Sequence, residues 1–119
     1  MTEGEIRYVQ IPAVDVETSA RFYETVFGWR VRTNSQGERA FDDTSGHVSG
    51  AWVPGRSPSR EPGVLVWVMV DRVEATLEKV TAAGGEVASP ATPQREGEAI
   101  ATFRDPAGNV LGVFHQGAA

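Results

Sequence analysis

Cysteine is absent from the 119 residues, so disulfides and thiol chemistry are excluded. No cluster of lysine or arginine occurs, and the formal net charge is −5, which argues against nucleic acid and anionic membrane as partners. No apolar run approaches the roughly 20 residues that a membrane helix needs. The opening MTEGEIRYVQ lacks the basic and apolar regions of a signal peptide. A soluble, cytoplasmic protein is expected. What is present suits folding: 40% hydrophobic and 23% charged residues are enough for one domain, 1–119, around one core.

The chain repeats itself. Phe41–Val53 (FDDTSGHVSGAWV) and Phe103–His115 (FRDPAGNVLGVFH) align without a gap. Phe41/Phe103, Asp43/Asp105, Gly46/Gly108, Val48/Val110 and Gly50/Gly112 then coincide. Upstream of each copy an apolar-periodic run opens on an aspartate, Asp15 or Asp71, and closes on a glycine, Gly28 or Gly84. Self-similarity at a fixed offset takes precedence over local readings. Two copies are too few for a solenoid, so a duplicated domain with pseudo-twofold symmetry is expected.

Local signals give each copy the order β-α-β-β-β. Ile6–Ile11 reads as a strand ended by Pro12. Asp15 is an N-cap, and Val16, Ala20, Tyr23, Val26 and Phe27 follow at helical spacing up to the C-terminal Gly28. Strands follow at Trp29–Thr33, Glu38–Asp42 and His47–Val53. The first module is therefore 1–53. Pro54–Gly63, with three of the seven prolines and no apolar anchor, is the linker. The second module, 64–119, opens on Val64–Val70 (VLVWVMV), which reads as a strand buried on both faces. Asp71, with Glu74 three residues on, predicts a cap for a helix carrying Val73, Leu77 and Val80. A short strand at Glu86–Ser89, a rim or lid loop at Pro90–Gly97, and strands Glu98–Arg104 and Asn109–His115 complete it.

Asp15, the pair Phe22-Tyr23, Phe27-Gly28-Trp29 and the turn Phe103–Asn109 together resemble the vicinal oxygen chelate superfamily. This group includes glyoxalase I, extradiol dioxygenases, fosfomycin-resistance enzymes and bleomycin-resistance proteins. The resemblance covers nearly the whole chain. It implies an α+β fold in which duplicated βαβββ units form a curled mixed sheet around a cavity, with helices outside. It also implies a homodimer, whose modules pair within one chain or swap between chains. Metal-using members carry ligands on the first and last strand of each copy. Counting from the cap and turn aspartates, those positions are Tyr8, Gly50, Leu65 and Gly112, with Ser49 and Val64 as neighbours one residue away. None is His, Glu or Asp, so neither a metal nor another cofactor is expected.

Strand alternation assigns a cavity wall of Tyr8, Gln10, Trp52, Leu65, Trp67, Met69 and Phe114, floored by Gly50 and Gly112. That is an apolar, aromatic lining with a few polar handles, suited to a small molecule. The same aromatics could instead fill the core or a subunit interface. His47 and His115 fall on the helix-facing side by this parity and read as surface or structural residues. Arg32, Arg39, Arg95 and Arg104 could reach an anionic ligand from the rim, although a solvated face is the plainer reading. Gln10 can orient a ligand but cannot act as a base.

The leading expectation is a metal-free binder of a small, partly aromatic or hydrophobic molecule. One alternative is an enzyme of the same superfamily. It would be either a metal-independent isomerase or cyclase polarising a carbonyl with Tyr8 and Gln10, or a glyoxalase- or dioxygenase-type enzyme with unrecognised metal ligands. The other is a structural or interaction module whose aromatics are buried between subunits.

Overall fold

The computed structural model describes residues 3–116. Strand β1 (Tyr8–Pro12), helix α1 (Val16–Phe27) and strands β2 (Arg30–Thr33), β3 (Arg39–Asp42) and β4 (Ser49–Val53) form the first module. Strand β5 (Trp67–Met69), helix α2 (Val73–Ala82) and strands β6 (Glu86–Pro93), β7 (Ala99–Arg104) and β8 (Val110–His115) form the second. Each module contributes one four-stranded sheet, β1-β4-β3-β2 and β5-β8-β7-β6. In both sheets the opening strand runs parallel to the closing strand and the other pairs are antiparallel. β1 and β5 are therefore edge strands.

Local chemistry sets the first helix. The Asp15 carboxylate accepts from the Thr18 N–H at 3.0 Å, and Gly28 ends the helix at φ 73°, a left-handed conformation that glycine tolerates. The second helix is built differently. Its N-cap is Arg72, not Asp71, and no side chain at that position caps it. The first helical N–H, of Val73, is instead taken by His115 Nδ1 at 2.9 Å. Structural equivalence thus runs Asp15/Arg72, one residue later than the aspartate echo suggests.

One apolar cluster joins the modules on the helix side of both sheets. It includes Phe22, Tyr23 and Val26 of α1, Val73, Leu77 and Val80 of α2, and Phe41, Trp52, Phe103, Leu111 and Val113 from the strands. Aromatic rings stack within it: Tyr23 lies 4.9 Å from Trp29, and Trp29 lies 4.6 Å from Phe41. Trp52 belongs to this cluster, 4.9 Å from Phe41 and fully buried.

That placement corrects the cavity-facing parity expected for β4. The first hairpin closes with the Asp43 N–H on the Val48 carbonyl, the second with the Asp105 N–H on the Asn109 carbonyl. The first turn therefore holds one more residue. Phe41 pairs with Gly50, whereas Phe103 pairs with Leu111. The counterpart of Gly112 is Ala51, and Gly50 and Trp52 face the helices. A one-residue change of register exchanges the two faces of a strand.

Two further expectations are corrected. VLVWVMV is not buried on both faces: Val64, Val66, Trp67 and Met69 are exposed, because β5 is a sheet edge. The stretch from Pro90 is not wholly a lid, since β6 continues to Pro93 through two register shifts. Proline is accommodated there because β6 is an edge strand with bulges. The linker is docked on the second module: the Ser59 N–H donates to Asn109 Oδ1 at 2.7 Å, and its carbonyl accepts from the Val110 N–H at 2.9 Å.

A buried polar knot ties the modules together. The Tyr23 hydroxyl donates to Asp105 Oδ2 at 2.8 Å across 82 residues of sequence. The other Asp105 oxygen accepts from the N–H groups of Ala107, Gly108 and Asn109. The Asn109 amide donates to Asp105 Oδ2 at 2.9 Å and to the Pro12 carbonyl at 2.7 Å. Burial, then the Asp105 charge and hydrogen bond, push the Tyr23 pKa well above its ordinary value, so the phenol stays a donor. Tyr23→Phe keeps the ring and deletes this donor to a buried carboxylate. The expected loss is about 1–3 kcal/mol, read as a lower urea midpoint at unchanged slope. An unchanged midpoint would show that the bond does not stabilise the module interface.

Candidate functional site

A groove of about 770 Å³ separates the two edge strands. One wall is β1 with Ile6 two residues before it, including Tyr8 and Gln10; the other is Val64–Met69, including Leu65 and Trp67. Trp29 and Phe41 reach it from the first module, Ser59 and Asn109 from the linker and the second turn. Tyr8, Gln10, Leu65, Trp67 and Met69 are thus brought together on one groove. Gly50, Trp52, Gly112 and Phe114 are not among its lining residues.

The two glycines do not leave the empty floor expected of them. A Cβ on Gly112 would collide with the Trp67 ring, which lies over that position. A Cβ on Gly50 would collide with the Val9 carbonyl and with the Phe41 ring. Each glycine is required by close approach, but from different sides. Gly112 seats a half-exposed tryptophan on the face away from the helices, and Gly50 seats a buried phenylalanine on the helix side. Phe114 shares the open face with Trp67 and is paired with Met69.

The open face of the first sheet is polar. In register across β1, β4, β3 and β2 stand Tyr8, Ser49, Asp42 and Arg30. The neighbouring row is Gln10, Ala51, Ala40 and Arg32. Arg32 grips Asp42 through Nε at 2.9 Å and Nη2 at 3.1 Å, and the Ser49 hydroxyl donates to Asp42 at 2.7 Å. The hydrogen bonds from Arg32, then that from Ser49, hold the Asp42 pKa at about 2. Asp42 and, less strongly, Tyr8 favour the charged form of Arg32. The corresponding face of the second sheet carries Trp67, Gly112 and Thr102 in one row and Met69, Phe114 and Ile100 in the next. From the sequence Arg32 reads as a solvated or rim residue and Ser49 only as a neighbour of a counted strand position, so their shared pairing with Asp42 is new here. Hairpin register was the available signal, since antiparallel β2 and β3 bring Arg32 diagonally against Asp42.

The donor set for a metal does not fit. Correcting the register replaces Gly50 by Ala51, so the four positions read Tyr8, Ala51, Leu65 and Gly112. Alanine, leucine and glycine offer no ligand atom in a side chain. Among the described residues no three His, Asp or Glu side chains gather as a metal site would need. His115 is occupied at the start of α2, and His47 is exposed in the first turn region.

The two glycines give a paired test. Gly112→Ala displaces only the half-exposed Trp67 ring, so fluorescence should shift while the thermal midpoint changes little. Gly50→Ala presses on backbone and a buried ring and should cost about 1–3 kcal/mol, as overpacking does. Equal destabilisation by both would contradict the opposed placement.

A model of the Glyoxalase/Bleomycin resistance protein/Dioxygenase superfamily matches residues 5–113. A putative glyoxylase, CFP32, of Mycobacterium tuberculosis is 25% identical over 119 residues, an alignment covering 94% of this chain and 46% of that protein. The chain thus spans less than half the length of that relative. A glyoxylase-like domain-containing protein of Didymella fabae is 30% identical over 90 residues, covering 70% of each. Among solved structures, the fosfomycin resistance protein FosX of Listeria monocytogenes superposes with a TM-score of 0.76 at 17% identity, covering 97% of this chain and 94% of that one. A glyoxalase/bleomycin resistance protein/dioxygenase family enzyme of Burkholderia phytofirmans gives 0.74 at 21% identity, covering 91% and 95%. The structural likenesses speak for the fold; the family model spans nearly the whole chain, and on it the chain belongs to the Glyoxalase/Bleomycin resistance protein/Dioxygenase superfamily.

Proposed function

We propose that the protein binds a small, partly aromatic or hydrophobic molecule in the groove between β1 and β5, without a metal. The observation that carries this reading is the groove itself, with Trp67 and Leu65 facing Tyr8 and Gln10 across it. Apolar surface with a few oriented polar groups is the usual make-up of a small-molecule site. The lack of any donor atom in the side chains of Ala51, Leu65 and Gly112, three of the four positions, supports the metal-free part. Trp67 is accessible and contributes to no buried cluster, so Trp67→Ala should fold normally. For any aromatic compound that raises the thermal midpoint of the wild-type chain, this variant should weaken binding about tenfold or more, a loss of about 1.4 kcal/mol. Adding EDTA should leave wild-type binding unchanged. Unaltered affinity in the variant would remove the groove from consideration, and loss of binding on chelation would remove the metal-free reading.

The same groove supports a homodimer. Ile6, Tyr8, Val64, Val66, Trp67 and Met69 are exposed apolar or aromatic side chains concentrated on its two edge strands. Grouped exposure of this kind, on unpaired strand edges, marks an association surface. A second copy related by a twofold axis would cover both edges and close the groove over its ligand. Light scattering of the full chain at micromolar concentration should give twice the monomer mass. Met69→Glu should give a folded monomer. A monomeric wild-type protein would exclude this assembly.

A further inference from the structure

The groove runs along β1 between two turns of the same motif. The Asp43–Val48 turn stands beside its start, where the Ser49 N–H donates to the Arg7 carbonyl and Ser49 is in register with Tyr8. The Asp105–Asn109 turn stands at its end, where the Asn109 amide donates to the Pro12 carbonyl at 2.7 Å. The five residues of β1 put roughly 13 Å between the two ends. Both turns reach the lining, with Asp43, Thr44, Ser45 and Val48 from the first and Asn109 from the second.

The ends differ in what their polar groups have left to offer. Asn109 is fully engaged: its amide nitrogen donates to Pro12 and Asp105, and its oxygen accepts from the Ser59 N–H. Asp105 is buried with donors on both oxygens. Asp43 is only half used. Its Oδ1 accepts from the Ser45 hydroxyl at 2.6 Å and from the N–H groups of Gly46 and Val48. Its Oδ2 accepts from no group among the described residues. The hairpin closure accounts for the difference. Val48 holds the place that Asn109 holds in the second turn, and a valine side chain has no donor.

The charge of the groove is equally one-sided. Asp43 is the one charged side chain among the described lining residues, and it is half-buried. Arg7 pairs with Glu5, Arg32 with Asp42 and Arg39 with Glu17, so these arginines are committed elsewhere. Three donors on Oδ1 hold the carboxylate in place, so little side-chain freedom is lost when a partner reaches Oδ2. The net charge of −5 favours the approach of a cation.

We infer that the bound molecule carries an ammonium group, which docks on Asp43 Oδ2 with Thr44 and Ser45 beside it, while its apolar body lies along the groove between β1 and β5. This rests on the groove being the binding site and adds a ligand class, an aromatic or hydrophobic amine. A hydrogen bond between two ionised groups is about twice as strong as a neutral one. The rings of Tyr8 and Trp67 suit the same ligand, because aromatic faces attract positive charge.

A matched pair of probes tests this: 2-naphthylmethylamine and 2-naphthylmethanol, alike in shape and different in charge at neutral pH, titrated calorimetrically into the full-length protein. The amine should bind at least about tenfold more tightly, a difference of about 1.4 kcal/mol. Asp43→Asn keeps an oxygen for the turn donors and removes the charge. It should bring the two affinities together by weakening the amine alone, with circular dichroism unchanged. Thr44 is exposed and its hydroxyl makes no hydrogen bond among the described residues, so Thr44→Lys serves where Asp43→Asn folds poorly. It sets a cation beside the carboxylate and should likewise weaken the amine and spare the alcohol. Equal affinities in the wild type would overturn the cationic handle and leave the groove intact. A preference that survives in the folded variant would overturn the assignment to Asp43. Failure of both probes to bind up to about 1 mM would overturn the groove reading and this inference together.

Discussion

The hydrogen bond from Tyr23 to Asp105 is the contact on which the arrangement of the two modules depends. It joins a helix of the first module to a turn of the second. The same carboxylate organises the turn that carries Asn109, and Asn109 holds both the end of β1 and the linker. A buried carboxylate is costly without partners, and this one has donors on both oxygens. Because β1 and the segment leading to β5 are both fastened to it, the width of the groove between those edges follows from the knot.

Sheet register then divides the chemistry. The helix side of both sheets is apolar and aromatic and merges into one core. The opposite sides differ: one is built on an arginine–aspartate pair with an alanine floor, the other on tryptophan, methionine and phenylalanine. Two modules of one topology thus share a scaffold and an inner face while their outer faces differ. The groove between them has chemically unlike walls, with Tyr8 and Gln10 on one side and Leu65, Trp67 and Met69 on the other.

Much of the fold was legible because its signals are local. Asp15, Gly28, the proline-rich linker and the Asp-Pro-x-Gly-Asn turn each specify backbone geometry within a few residues. The open face was legible only in part. Tyr8, Gln10, Leu65, Trp67 and Met69 were placed by alternation within their own strands, which needs no knowledge of turn length. Trp52 and Gly50 were misplaced because their parity was inferred through a hairpin whose partner is one residue shorter. The apolar run around Trp67 was read as core because hydrophobicity alone does not distinguish a central strand from an edge beside a groove. The partnership of Tyr23 with Asp105 was illegible for another reason: tertiary contact over 82 residues leaves no local trace.

The position in α2 equivalent to Tyr23 is Val80, which is fully buried and has no hydroxyl. Likewise the turn aspartate of the first module, Asp43, is satisfied by Ser45, Gly46 and Val48 of its own turn and takes no donor from a helix. The knot therefore exists in one direction only. The two βαβββ units, alike in topology, are here complementary parts, like a plug and a socket. Two second halves could not replace the pair, since their buried turn carboxylates would meet Val80 where Tyr23 now donates a hydroxyl.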